Sequence, residues 1–436
     1  MSVVPGSIDA GRGPPLAVPL WHFAAACGFL LAALGVGLAE ALGVAPGLAS
    51  VARRHLLLTG WVCLTIMGAM TQFIPVWSGV ALHSRRLATA QAWLAAVGVA
   101  GMAAGFLLGW LTLVPAFGAL AVLGFWTFVY NVGRTLARAG SLDVTERHFA
   151  LALGFFVLLT LLALALAVDL VAPVLAARPA VVGAHVTLAV LGAVLTTVYG
   201  ALYQLATMFT QTDLHGVDRP LARLEAVGHP LGVALLAGGR LLGVAAVATI
   251  GGLLVAGAAV AFAVVLARRL YEARVDRTPM LTRYAVLATA LALWGPLAAA
   301  AWLRAPLARA TLLGPPGGAT LLVLGVVGFV VLGTLYHVVP FLVWVERYSD
   351  RLGLAEVPMI DDLYDDRIAA VDFASLLAGT VALVADGWVG VPGLATAGHG
   401  LLLAGGTLFV GNLLLVVRDH GPPDMPLSTA DDGRAA

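Results

Sequence analysis

Residues 55–79 read HLLLTGWVCLTIMGAMTQFIPVWSG. The run is apolar enough to cross a bilayer, yet it opens on a histidine and carries Gln72, Pro75 and Trp77 near its far end. Two later stretches echo it. Gly60 and Gly68 are followed by Ala69 and Gln72, Gly192 and Gly200 by Ala201 and Gln204, and Gly325 and Gly333 by Thr334 and His337. Each glycine pair is spaced by eight, and the first glycines lie 132 (192 − 60) and 133 (325 − 192) residues apart. A period this regular is the signature of a repeated structural unit.

The composition sets the solvent. The 436 residues are 61% hydrophobic and 11% charged, with a mean hydropathy of +0.98. A water-facing surface needs more charge than that, so the class is an all-α polytopic membrane protein. A membrane β-barrel would show short alternating segments, whereas these apolar runs are long and continuous. The start, MSVVPGSIDAGRGPPLAVP, is polar and rich in Pro and Gly, which predicts that the first hydrophobic segment is retained rather than cleaved. Cys27 and Cys63 fall inside apolar runs and read as small buried hydrophobes. A formal net charge of +1 says nothing for nucleic acid, and the architecture argues against it.

A bilayer-spanning helix needs about 20 apolar residues. Twelve segments qualify: 17–44, 54–82, 87–110, 113–136, 148–173, 181–210, 224–246, 249–270, 283–304, 318–345, 369–391 and 397–417. The signature falls on the second, sixth and tenth, so each repeat comprises four helices. The units are 17–138, 139–277 and 278–418, between disordered tails at 1–16 and 419–436. The preceding helices agree in part: His22 and His148 each open a His-Phe-Ala, three residues, Gly-Phe pattern, with an echo in Arg283-Tyr284-Ala285. Three sequential units of equal polarity predict three four-helix arcs with pseudo-threefold symmetry, brought close by their glycines. The hydrophilic stretch 346–368, with Asp361, Asp362, Asp365 and Asp366, reads as a solvated cytoplasmic helix.

All 24 basic residues are arginines. With a cytoplasmic N-terminus, Arg53, Arg54, Arg178, Arg304 and Arg309 fall outside and Arg240 lies within a span. The other eighteen (24 − 5 − 1) face the cytoplasm. This positive-inside bias puts both termini in the cytoplasm of a cell, that is plasma or inner, membrane.

Imidazole within a membrane is costly without a partner, so His55 and His185 are the leading candidate ligands for a metal or haem. Interfacial histidines bonded to carbonyls are the alternative. His55 lies five residues before its glycine and His185 seven, an offset of about half a turn. Arg240 reads either as the partner of a propionate or carboxylate, or as a side chain reaching the interface. His22 and His148 mark a second site or a repeated packing role. Gln72, Gln204 and His337 share one repeat position and either line a cavity or proton path or join helices by hydrogen bonds. Asp169 reads as an interfacial carboxylate, and His229 and His399 as lesser candidates.

The three-by-four arrangement, with histidines in the second and sixth helices, resembles cytochrome c oxidase subunit I and the haem-copper oxidase superfamily. His55-Leu-Leu-Leu-Thr-Gly60-Trp61, followed by Gly68, Pro75, Trp77, Ser78 and Gly79, resembles more closely the NnrS-type haem- and copper-containing membrane proteins. A looser echo covers His185, Gly192, His215 and Arg219-Pro220-Leu221. The likeness covers the whole chain in architecture but about 25 residues in motif. It implies axial haem ligation by His55 and His185, a propionate partner in Arg240, and a part in nitric oxide or oxygen metabolism, electron transfer or gas sensing. It also implies an electron donor or partner subunit. The histidine, proline, glutamate, valine, tyrosine run of the oxidases, and their histidine pairs, are missing. An oxidase-type copper site is therefore not expected. A transporter, whose repeats flank a substrate site, and a haemless structural or assembly subunit are the rival readings.

Overall fold

A computed structural model describes residues 14–421, and the expected tails fall mostly outside that range. Among the described residues the fold is all-helical. Twelve long helices follow one another: α1 Ala17–Ala41, α2 Ala49–Trp77, α3 Arg85–Leu108, α4 Val114–Leu136, α5 Val144–Val168, α6 Arg178–Thr210, α7 Asp218–Leu242, α8 Ala245–Tyr271, α9 Pro279–Arg304, α10 Gly318–Arg347, α11 Asp366–Val389 and α12 Leu394–His420. Eleven are long and apolar enough to cross a membrane, so the chain is built as a multi-pass membrane protein. The exception is α7, whose polar first half carries Asp218, Arg219, Arg223 and Glu225.

Several helices start earlier than the apolar pattern predicts, because capping groups are polar. Asp143 and Glu146 form a reciprocal capping box that begins α5 at Val144, and Thr278 caps α9 at Pro279. Stretch 346–368 is not the expected helix. Between the end of α10 at Arg347 and the start of α11 at Asp366 it holds only short 3-10 turns at Ser349–Arg351 and Ile360–Leu363. Its acids serve local geometry: the Asp362 carboxylate accepts from the Met359 amide, Asp365 caps α11, and Asp361 accepts from the Tyr364 hydroxyl. At the C-terminus, α12 continues through His420, whose Nδ1 bonds the Tyr348 hydroxyl, so the chain is still ordered past 418.

The signature helices are the most enclosed. Along their most apolar stretches α2, α6 and α10 bury 72%, 78% and 67% of their positions, against 28% for α5 and α11, which face outward. Each central helix carries one π-helical segment at its first signature glycine: Leu56–Cys63 around Gly60, Thr187–Leu195 around Gly192, and Leu321–Gly328 around Gly325. The helix before each one packs on both glycines. A Cβ on Gly60 would lie 2.6 Å from Phe29 Cγ, one on Gly192 3.0 Å from Phe155 Cγ, and one on Gly325 3.1 Å from Ala290 Cβ. At the second glycines, Gly68 faces His22, Gly200 faces His148 and Gly333 faces Arg283.

The remaining helices pair as α3–α4, α7–α8 and α11–α12. Small residues bring the backbones together, Gly124 onto Ala95, Gly232 onto Gly251 and Gly379 onto Gly398. The end of each pair is tied alike. Asn131 on α4 exchanges two hydrogen bonds with the Ser84 backbone at the start of α3, and Asn412 on α12 does the same with Asp365 before α11. In the middle pair, Arg268 and Arg269 on α8 hold the Asp218 carboxylate at 2.7 Å each.

The glycine contacts yield a direct test. Gly200→Ala would drive a methyl to within 2.6 Å of His148 Cβ, whereas Gly28 on α1 has nothing within 4 Å. Gly200→Ala should cost about 1–3 kcal/mol through overpacking. Gly28→Ala should be neutral or stabilising, by up to about 1 kcal/mol of helix propensity. Thermal unfolding of the two variants in detergent reads the difference.

Candidate functional site

All three π segments border one cavity of about 1060 Å³. Leu57, Leu58, Thr59 and Cys63 come from α2, Ala189, Val190 and Val194 from α6, and Val323 and Leu324 from α10. A π turn holds one more residue between bonded groups than an α turn, so it widens the helix locally, and such segments often sit at functional sites. Phe106, Phe125, Phe156 and Leu159 complete an apolar wall. The size and lining suit an organic ligand.

His55 and His185 both line this cavity, each just ahead of its π segment. The half-turn offset between them does not separate them, and His185 lies within electrostatic reach of His55. His55 Nδ1 is 2.9 Å from the Val51 carbonyl on its own helix. His185 Nδ1 is 3.1 Å from the Leu159 carbonyl on α5. A carbonyl only accepts, so both rings are protonated at Nδ1 and carry their lone pair on Nε2. Neither Nε2 has a hydrogen-bond partner among the described residues. This is the arrangement in which a ligating histidine is oriented by a bond from its second nitrogen.

Arg240, on α7, also lines the cavity and is 3% exposed. It lies in the last turn of α7, with its donors taken up inside the protein. Its Nε donates to the Pro306 carbonyl at 3.0 Å, Nη1 to Thr187 Oγ1 at 2.6 Å and to the Leu312 carbonyl at 3.1 Å, and Nη2 to the Thr311 carbonyl at 3.4 Å. The guanidinium thus pins the loop between α9 and α10 to the first π residue of α6. No carboxylate among the described residues pairs with it, so its charge stays uncompensated.

Arg53, Arg54, Arg178 and Arg309 join it along the wall. Arg53 is paired with Glu40 and Arg178 with Asp169, while Arg54 and Arg309 are exposed and carry no ion pair among the described residues. Asp169 also accepts from the amides of Val174 and Leu175, so it organises the loop before α6 rather than standing free. Asp386 and His399 also line the cavity, the latter near Arg53 and with Nδ1 buried and unpartnered. The arginine group was visible in the sequence only as residues on the wrong side of the charge bias. Four of those five arginines gather here.

The other candidate residues lie elsewhere. His22, His148, Gln72, Gln204 and His337 do not line the cavity. His22 Nδ1 bonds the Val18 carbonyl and its Nε2 lies 3.5 Å from Gln91 Nε2, while His148 faces Glu225. His337 packs its ring on Phe209 at 4.1 Å, bringing the ends of α6 and α10 together, and Gln72 Oε1 is buried without a partner. Among the described residues no group of three or more His, Cys, Asp or Glu side chains is placed to hold a metal ion, and both cysteines are buried and free.

Arg240→Leu should release the 306–312 loop. Breaking a buried set of charge-assisted bonds should cost about 2 kcal/mol or more. Hydrogen exchange should rise in residues 305–313, with α12 unchanged as the internal control. Arg240→Lys should fail to restore protection, since a point charge cannot span three carbonyls and a hydroxyl.

No protein-family model and no curated protein sequence matches this chain.

Proposed function

We propose that the cavity binds haem, with His55 and His185 as axial ligands, and that the protein works in electron transfer or in nitric oxide or oxygen chemistry. The observation carrying this reading is the pair of Nδ1-anchored imidazoles whose free Nε2 atoms border one large apolar cavity. Residues and group fit in three respects. The wall is apolar and aromatic, as a porphyrin face requires. Two neutral imidazoles supply axial nitrogen donors. Uncompensated arginines supply partners for two propionates. Arg240 would offer its remaining N–H, while Arg54 and Arg309 are freer to do so. When bound, haem would supply one-electron chemistry, and the protein would set ring orientation and exclude water. Among the described residues no three-ligand cluster gives copper comparable support.

The scaffold in this reading is three four-helix arcs about a pseudo-threefold axis. It rests on the recurrence of the π segment, the two glycine contacts and the helix-end tie in each third of the chain. The topology has both termini in the cytoplasm of a plasma or inner membrane. It is supported by the arginine bias and by the gathering of four outward arginines at one cavity. The arrangement is similar to that of oxidase subunit I, with an electron donor or partner subunit supplying reducing equivalents.

The test is an optical spectrum of the purified protein from haem-replete cells, oxidised and then dithionite-reduced, with and without nitric oxide. Wild type should show a Soret band. His55→Ala and His185→Ala should each abolish haem retention, and His337→Ala should keep it. A reduced α-band indifferent to nitric oxide means closed bis-histidine ligation and electron transfer. A band shifted by nitric oxide means an exchangeable position and gas chemistry. A colourless wild-type protein ends the haem reading and leaves transport of an amphipathic anion or a structural scaffold.

A further inference from the structure

A second buried polar centre lies away from the cavity, between α5, α6 and α7. We propose that His148 and Glu225 form a proton-binding site there, with Tyr203, Tyr199 and His229 as its hydrogen-bonding surround. The comparison that singles it out is internal to the chain. In each third of the sequence the residue beneath the second glycine faces a polar residue two helices on. His22 faces Gln91, His148 faces Glu225, and Arg283 faces Asp372. An amide does not titrate, and an arginine keeps its proton, so in the first and third pairs only one member can exchange a proton. Only the middle pair joins two groups that can each hold or release a proton.

The geometry fits one shared proton. His148 Nδ1 lies 2.6 Å from the Val144 carbonyl, so it is the protonated donor, and Nε2 faces the carboxylate at 3.2 and 3.3 Å. Tyr203 donates to Glu225 Oε2 at 2.8 Å. The two side chains are 2% and 0% exposed. With the proton in place the pair is neutral overall, whether written as imidazolium and carboxylate or as imidazole and carboxyl. Releasing it leaves one buried negative charge, with the Nε2 lone pair turned towards it.

Unsatisfied atoms surround the pair. Tyr199 Oη, Thr145 Oγ1 and His229 Nδ1 are buried without a partner. His229 Nε2 is 2.9 Å from the Leu191 carbonyl and so is the donor, which makes Nδ1 an acceptor in need of a donor. Buried polar atoms of this kind are normally satisfied by water. Water among them would connect Glu225 to Tyr199 and His229. The other acid within electrostatic reach of His148 is Asp143, which caps α5, and α8 contributes Phe262, packed on both tyrosines. His148 lies one turn from the start of α5, which gives the proton a short path to water at that end. None of these residues lines the cavity, so the site does not depend on the haem reading.

The test uses the full-length protein in lipid vesicles, with histidine 15N-labelled, titrated from about pH 4 to about pH 10. A proton on Glu225 appears as a carboxyl stretching band in infrared difference spectra, and one on His148 as an imidazolium nitrogen signal in NMR. One of the two should titrate in the wild type. Glu225→Gln should remove the carboxyl band, or lower the proton affinity of His148 at least about tenfold, as loss of an adjacent anion requires. This variant recreates the His22–Gln91 pairing that the same fold already contains, so it should fold. His148→Gln should displace any carboxyl titration by a similar factor. The proposal is overturned if neither signal titrates, or if the titrating signal is unchanged in Glu225→Gln.

Discussion

In hydrocarbon a backbone polar group has no water to fall back on, and leaving one unpaired costs several kcal/mol. That constraint governs the centre of this bundle. The three inner helices must open a cavity between them without giving up backbone bonds, and each does so with a π segment. The loosened carbonyls are served by neighbouring side chains. Thr65 donates to Trp61 O and Thr197 to Ala193 O, at the same position relative to Gly60 and Gly192, and His229 reaches across from α7 to Leu191 O. The cavity is therefore not a packing defect. It is lined where the helices are widened.

The same economy explains where polar side chains are tolerated. Three buried polar pairs sit at glycine contacts, and others tie helix ends. Beneath Gly68, Gly200 and Gly333 the preceding helix comes close enough for a long polar side chain to extend past the central helix towards a third one. A shared backbone frame then accepts three different chemistries: an amide with an imidazole, an imidazole with a carboxylate, and a guanidinium with a carboxylate. Burial makes each pair obligatory, because removing one partner strands the other in a low-dielectric interior. The helix ends around the cavity follow a different rule. There, arginines crowd one cavity with too few acids to match them.

Much of this was legible in the sequence for physical reasons. Hydropathy fixes long helices in lipid, since no other open structure satisfies its backbone there. The eight-residue glycine spacing marked the three helices that prove most enclosed, and the His-Phe-Ala and Arg-Tyr-Ala echoes marked the residues that pack on them. His55, His185 and Arg240 were singled out by the cost of polar groups in an apolar run, and the fold brings all three to one cavity. What stayed hidden was what hydropathy does not encode. The π segments leave no compositional trace, and the offset between His55 and His185 did not foretell that both would border one cavity. Helix starts at Asp143 and Thr278 lie in polar sequence outside the apolar run. The acids of 346–368 suggested a solvated helix, but they cap turns. Glu225 escaped notice because it sits in the polar half of α7, the helix with the weakest apolar signal, and its partner is 77 residues away.

The π segments carry a consequence for how such a chain can change. Each holds one residue beyond what an α-helix of the same span would need, and an α-helix turns about 100° per residue. Deleting a single residue inside Leu56–Cys63 would not break α2. It would let the helix relax to ordinary geometry over the same span, so that Gly68 would stay on α1 and His55 would keep its face, while the widened turn beside the cavity would close. A lineage could thus widen or narrow the cavity wall through one codon gained or lost, with the glycine scaffold untouched. Aligned by sequence, the two forms would differ by a lone gap in an otherwise featureless apolar run.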